Sequence, residues 1–290
     1  MSNFVTRILF VGAAVPALFA LAVYVPFMDH LPLAALALAF AAGSGVELRR
    51  MMEPSAGASR SVVAALLAVL PGAAVYAVRL ARPEAGLAAS WLAPVAGVAI
   101  GAFLASALPV ALPRKADSVR SSVSVASSNA FYLLYPGALA SAIVVILGST
   151  EESGLLLIWF ATVVFGNDSL AWLAGVTLGR RRGIFTVSPN KSLEGLVAGM
   201  AGSVGFSFLG PVLMPGIVPW SWPMLIGLGL GCGVAVVAGD LFESSIKRSA
   251  GVKDSGSIVP GRGGILDSFD SLLFAAPVFI GVLAAAGVAL

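Results

Sequence analysis

Long apolar runs, broken by short charged or Pro/Gly-containing segments, organise this chain from end to end. Nine stand out, at approximately 4–28, 31–46, 61–78, 87–110, 129–148, 154–178, 192–210, 218–239 and 271–290. Most approach the roughly 20 residues that a helix needs to cross about 30 Å of hydrocarbon. The second is short and the third borderline, so eight or ten spans are the alternatives. The runs are continuously apolar instead of alternating with period two, which excludes a β-barrel. The pattern predicts an all-α, polytopic integral membrane protein with about nine transmembrane helices. The first run reads as an uncleaved helix, since so many further apolar segments follow it.

Composition strengthens this picture. Of 290 residues, 59% are hydrophobic and 11% charged, whereas a soluble domain is usually about 25% charged. The net charge of +3 is too small to argue for a nucleic-acid partner. The placement of the positive residues says more, because short loops orient by their Lys and Arg content. With Arg7 and the N-terminus in the cytoplasm, Arg49, Arg50, Arg60, Arg114, Lys115, Arg120, Arg180, Arg181, Arg182, Lys191, Lys247, Arg248, Lys253 and Arg262 fall on the same side. Only Arg79 and Arg82 fall opposite. The single cysteine, Cys232, excludes intrachain disulfides and Cys-based metal sites. The lone histidine, His30, reads as a loop residue.

The chemistry concentrates in residues 240–270. This stretch holds Asp240, Glu243, Asp254, Asp267 and Asp270 together with Lys247, Arg248, Lys253 and Arg262. Its outer acids lie where two apolar runs meet the interface, where charges are costly unless paired, hydrated or metal-bound. Asp240, Glu243, Ser244 and Lys247 are three or four apart, so one helical face carries them all. Asp267 and Asp270 are one turn apart if that segment is helical. Paired carboxylates suit a hard cation such as Mg²⁺, held by one or two of them plus substrate phosphates. The bases suit phosphate oxygens, and Gly256, Gly261, Gly263 and Gly264 allow tight turns or close approach of a ligand. A solvated loop whose charges pair among themselves is the alternative.

Asn167 and Asp168 interrupt the run 154–178. They read either as an interhelical hydrogen-bonding pair or as polar groups facing a cavity. The next loop carries Arg180, Arg181 and Arg182, then Ser188-Pro189-Asn190-Lys191-Ser192-Leu193-Glu194-Gly195. Lys191, at the entry to the following helix, is a further candidate for phosphate contact.

The run SSIKRSAGVKDSGSIVPGRGGILDSFD, from Ser244 to Asp270, resembles the signature of phosphatidate cytidylyltransferases, also called CDP-diacylglycerol synthases. That pattern reads Ser-x-x-Lys-Arg, Lys-Asp, Pro-Gly-His-Gly-Gly, an apolar pair, then Asp-Arg-x-Asp. Gly239-Asp240-Leu241, Asn167-Asp168 with Ala171-Trp172, and Ser188-Pro189 with Lys191-Ser192 resemble further blocks of the family. The resemblance is strong over about 167–275, so the chain divides into N-terminal helices, 1–128, and a C-terminal catalytic region, 129–290. Two positions depart from the pattern: Arg262 stands for its histidine and Ser268 for its arginine.

The resemblance implies a transferase of phospholipid biosynthesis. It joins CTP and phosphatidate, or a related lipid phosphate, into CDP-diacylglycerol and releases pyrophosphate with Mg²⁺. It further implies a bacterial inner-membrane enzyme with its site on the cytoplasmic side. By this reading Asp240 and Asp267, with Glu243 and Asp270, hold metal, and Asp240, Lys247, Asp254 and Asp267 are the catalytic set. Lys191, Ser244, Arg248, Lys253 and Arg262 bind phosphate. Asn167 and Asp168 support the site, Asp168 by shaping it or by holding a second cation. A homodimer is compatible with so many apolar helices. A transporter and a non-catalytic homologue are the competing readings.

Overall fold

The computed structural model describes residues 3–81, 87–111, 116–150, 152–261 and 263–288. They fold into helices α1 (Asn3–Tyr24), α2 (Phe27–Met52), α3 (Ala58–Ala81), α4 (Leu87–Ala111), α5 (Ala116–Tyr132), α6 (Leu139–Ile146), α7 (Ser153–Thr177), α8 (Leu193–Ser207), α9 (Gly210–Leu213), α10 (Trp222–Ser249) and α11 (Leu266–Ala285). A π-helical turn, Leu133–Ala138, joins α5 to α6. It contains Pro136, which has no N–H for an i→i−4 bond and whose ring crowds the preceding turn.

Seven helical segments among the described residues are long and apolar enough to cross a membrane. They are Phe27–Met52, Ala58–Ala81, Ser121–Ile146, Ser153–Thr177, Leu193–Leu213, Trp222–Ser249 and Leu266–Ala285. Their outer surfaces are apolar as well as their inner ones: Leu66, Leu134, Trp172, Val197 and Val234 are exposed at mid-helix. A helix that is hydrophobic all round belongs in a protein core or a bilayer. The chain is an integral membrane protein.

α7 packs on α8, α8 on α10, and α10 on α11, which also touches α2 and α6. α2, α3, α4 and α5 form a second set, joined to the first where α3 meets the π turn and α6. Trp159 of α7 meets Phe279 of α11 edge-on, and Phe160 packs tilted against the same ring, in the shared core.

Polar groups gather at the two ends of this bundle. At one end Arg79 pairs with Asp29 and Tyr76 donates to the Met28 carbonyl. At the other, Arg60 forms a two-pronged bond to Glu53, with Nε–Oε2 3.0 Å and Nη2–Oε1 2.8 Å. Arg60 also donates to Asn129, and Tyr132 donates to Glu53.

The charged stretch is helical at both ends, as the three-and-four spacing of its acids requires. α10 continues past the apolar run to Ser249, and α11 begins at Leu266. Only residues 250–265 are irregular. The helix runs on because Asp240, Glu243 and Lys247 lie on a packed face and find partners there. It stops at Gly251 (φ +71°), whose N–H bonds the Arg248 carbonyl while the Val252 N–H bonds that of Lys247. The fifth span also starts earlier than its apolar run: the span expected from 129 extends back to Ser121.

Candidate functional site

α10 and α11 cross closely beside their acids. A Cβ at Gly239 would lie 2.7 Å from the Asp270 carbonyl oxygen, so only glycine allows this approach. The contact sets Asp240 and Glu243 on α10 beside Asp267 and Asp270 on α11. Lys247 lies between them: its ammonium pairs with Glu243 one turn back and donates to Asp267 Oδ1 at 2.6 Å. Both Glu243 and Asp267 are almost fully buried.

Asp267 is fixed from every side. Its Oδ2 accepts from the Gly264 N–H at 2.7 Å, the Ser255 N–H at 2.8 Å and the Ser255 hydroxyl at 3.0 Å. An acid at this position also favours the N-terminus of α11. The loop from 250 to 265 is therefore folded around this carboxylate.

Glu47, which sequence reasoning passed over, anchors the same loop from α2. Its side chain is fully buried and accepts from the Ile265 N–H and the Leu266 N–H, both at 2.9 Å, and from the Ser255 hydroxyl at 2.8 Å. It caps α11 from a different helix. A Cβ at Gly256 or Gly264 would collide with its carboxylate, so these glycines make room for Glu47. Its one sequence signal was a carboxylate placed directly after an apolar run, among arginines that explained themselves by topology.

Lys191 brings the second block to the first by pairing with Asp240. The loop before α8 holds it there: Arg182 donates to the Asn190 and Gly175 carbonyls, and Glu194 accepts from the Arg180 and Arg181 N–H groups. Ser192 caps α8 by accepting from the Gly195 N–H. Asn167 is buried and donates to Ser203 across the α7–α8 contact, which is the interhelical pairing its position suggested. Asp168 and Asp240 lie within electrostatic reach of Asp270.

The remaining candidates are placed less centrally. Ser244 is buried on α10. Arg248, Lys253 and Asp254 are exposed on the rim, and Arg248 donates to the Val252 carbonyl. Arg262 lies outside the described residues. Ser268 bonds the Gly264 carbonyl.

The donor set fits a hard cation in part. Carboxylates outnumber the ammonium groups: Asp240, Glu243, Asp267 and Asp270 face Lys191 and Lys247. Glu243 Oε1 is buried with no hydrogen-bond partner among the described residues. Asp270, also buried, takes only its neighbouring Ser271 N–H among the bonds seen. Among the described residues no three His, Cys, Asp or Glu groups could hold a metal ion by themselves. A cation here would draw the rest of its shell from phosphate oxygens and water, the usual manner of Mg²⁺.

Comparison with known proteins gives this arrangement a family. Over 135 residues, 46% of the chain, it is 40% identical to the phosphatidate cytidylyltransferase of Bacillus subtilis, covering 49% of that protein. With the Helicobacter pylori (strain 26695) phosphatidate cytidylyltransferase it shares 39% identity over 145 residues, 49% of the chain and 52% of the relative. An uncharacterised Escherichia coli K12 protein, YnbB, is 39% identical over 129 residues, 44% of the chain and 42% of the relative. The chain thus spans about half the length of the curated relatives it matches. The sequence model of the cytidylyltransferase family reaches much further, aligning with residues 5–286, and the chain belongs to that family.

Proposed function

We propose that the chain is a CTP-dependent lipid nucleotidyltransferase that converts phosphatidate to CDP-diacylglycerol and releases pyrophosphate. The observation that carries this reading is the meeting of the α10 and α11 acids around Lys247, with Lys191 against Asp240. Cations and excess carboxylates in one place match a reaction between two polyanions.

The lipid phosphate is already ionised, so no strong base is needed. Its oxygen attacks the α-phosphorus of CTP; that P–O bond forms as the bond to pyrophosphate breaks. Lys191 and Lys247 swing or share their ammonium groups toward phosphate oxygens, with Lys253, Arg248 and Arg262 at the rim and Ser244 beside them. Asp240 and Asp267, supported by Glu243 and Asp270, would hold Mg²⁺, with Asp168 beside them for a second cation. Bound there, the metal would neutralise charge on the phosphates and on the leaving pyrophosphate. Asp254 and Asn167 support this set, and holding both reactants in line supplies an orientation advantage.

The same proposal has nine helices crossing a bacterial inner membrane. Support comes from α1 and α4, 22 and 25 residues long, beside the seven clear spans. An N-terminus in the cytoplasm follows from the distribution of Lys and Arg. The acyl chains then stay in the bilayer while CTP enters from water, with the C-terminal region 129–290 supplying the proposed catalytic side chains.

The test is purified protein with labelled CTP, Mg²⁺ and a panel of lipid phosphates. CDP-diacylglycerol from phosphatidate is the expected product, and another acceptor would redirect the specificity. Folded protein that makes no CDP-lipid from any acceptor would overturn the reading. Ser268 in place of the family's arginine favours a second reading, a non-catalytic homologue. Activity gained only on Ser268→Arg with Arg262→His would favour it.

A further inference from the structure

Tyr135 sits in the π-helical turn, is 4% exposed, and has a hydroxyl with no hydrogen-bond partner among the described residues. Its ring is held by Phe242 at 4.9 Å, Phe131 at 5.8 Å and Phe274 at 5.9 Å between centroids. Two of these neighbours carry the site. Phe242 lies between Asp240 and Glu243 on α10, and Phe274 follows Asp270 by one turn on α11. Phe274 also stands against the Gly239–Asp270 crossing, 3.2 Å from a Cβ built at Gly239. The aromatic cage thus abuts the acid cluster, and Tyr135 lies within electrostatic reach of Asp240, Glu243, Asp267 and Asp270.

A phenylalanine would fill this cage equally well and would leave no buried hydroxyl unpaired, a cost that proteins avoid. Tyr132, one turn earlier, uses its hydroxyl on Glu53. The π turn has a local cause in Pro136 and shifts the helical register at this point, and such turns recur at functional sites. A phenol can donate without adding charge. The four neighbouring acids accept nothing from it in the hydrogen bonds seen, so its donor is left for a ligand that brings its own acceptor.

We infer that Tyr135 is a ligand-contacting residue of this site, its hydroxyl donating to a phosphate oxygen of the lipid phosphate or of CTP. This inference rests on the cytidylyltransferase reading. The two sources share the same acceptor chemistry and differ in which substrate the residue senses.

The experiment compares wild type with Tyr135→Phe in neutral detergent, by steady-state kinetics and by thermal unfolding with CTP alone or dioctanoyl phosphatidate alone, each with Mg²⁺. The expected result is an apo melting temperature equal to or above that of wild type. kcat/KM should fall about 10- to 100-fold, the worth of one hydrogen bond to a charged group. The stabilisation given by one of the two ligands should shrink. Loss confined to phosphatidate identifies the lipid phosphate, and loss confined to CTP identifies the nucleotide. A Tyr135→Phe protein with wild-type kinetics and wild-type stabilisation by both ligands overturns the inference, while a Tyr135→Leu variant that alone loses activity marks the ring as packing. A wild-type protein that neither responds to these ligands nor forms product defeats the underlying reading instead.

Discussion

The Ser255 hydroxyl lies 2.8 Å from Glu47 Oε2, 208 residues away in sequence, and 3.0 Å from Asp267 Oδ2, so it joins a carboxylate of α2 to one of α11. The N-terminal helices are thereby tied to the acid cluster by a specific buried network. One hydroxyl proton serves two carboxylates, and the Lys247 ammonium and the backbone N–H groups of 255, 264, 265 and 266 supply further donors. The start of α11, and with it Asp267, is held by Glu47.

Glu47→Ala should therefore both destabilise the protein and slow it. Two helix-end N–H groups lose their acceptor in a buried place, at about 1–3 kcal/mol for each group left unpaired, while the Ser255 hydroxyl is left with Asp267 alone. Glu47→Gln keeps one acceptor oxygen and should lose less of the melting temperature. Turnover should fall in both, because Asp267 is no longer fixed. Thermal unfolding in detergent alongside CDP-lipid formation checks this, and unchanged values for Glu47→Ala would show that the loop holds itself.

Two lysines that look alike in sequence should behave differently. Lys247 pairs with two almost fully buried carboxylates, and removing one partner of a buried ion pair costs about 3–5 kcal/mol. Lys191 meets Asp240 with both side chains about a third exposed, where such pairs contribute about 0–1 kcal/mol. Lys247→Met should show a large fall in melting temperature with no turnover. Lys191→Met should melt near wild type while its KM for CTP rises or its kcat falls. Equal melting temperatures for the two variants would contradict the burial difference.

The helical spans and the α10 face were legible because their signals are local. Apolar length marks a helix, and spacing of three or four puts Asp240, Glu243 and Lys247 together wherever the chain is helical. Glu47 was not legible, since its partners are backbone N–H groups more than 200 residues away and nothing in its own neighbourhood encodes them. The Gly-rich segment suggested room for a ligand, but at Gly256 and Gly264 it is room for that glutamate. Tyr135 was hidden for a similar reason: a tyrosine in an apolar run looks like packing until its hydroxyl is found without a partner among the described residues.

Asp240→Asn and Asp267→Asn should each reduce turnover at least about 100-fold, the scale of removing one electrostatic contact to the reacting group. Each protein should remain folded. Asp267→Asn should melt lower, since its amide nitrogen must face either Lys247 or the donors of Gly264 and Ser255. Omitting Mg²⁺, or adding EDTA, should silence the wild type in the same assay. Full activity in EDTA would remove the metal from the proposal while leaving the lysines in place.

Acid should unfold this protein partly through Glu53, in the turn between α2 and α3. The two-pronged bond from Arg60, helped by Ser128 and Tyr132, lowers its pKa from 4.5 to about 2. A depressed folded-state pKa means that the unfolded chain binds the proton first. The contribution is therefore complete above 4.5 and is lost as the pH falls toward 2. Glu53→Gln keeps an acceptor for Tyr132 but cannot ionise, so it should be less stable than wild type at neutral pH. The gap between the two should narrow as the pH is lowered through this window. Melting temperatures of both proteins, measured in neutral detergent across it, give the comparison. Parallel curves would mean that Glu53 and Arg60 are separated in solution, and that the bonds of Asn129 and Tyr132 to them do not hold α3 to α5.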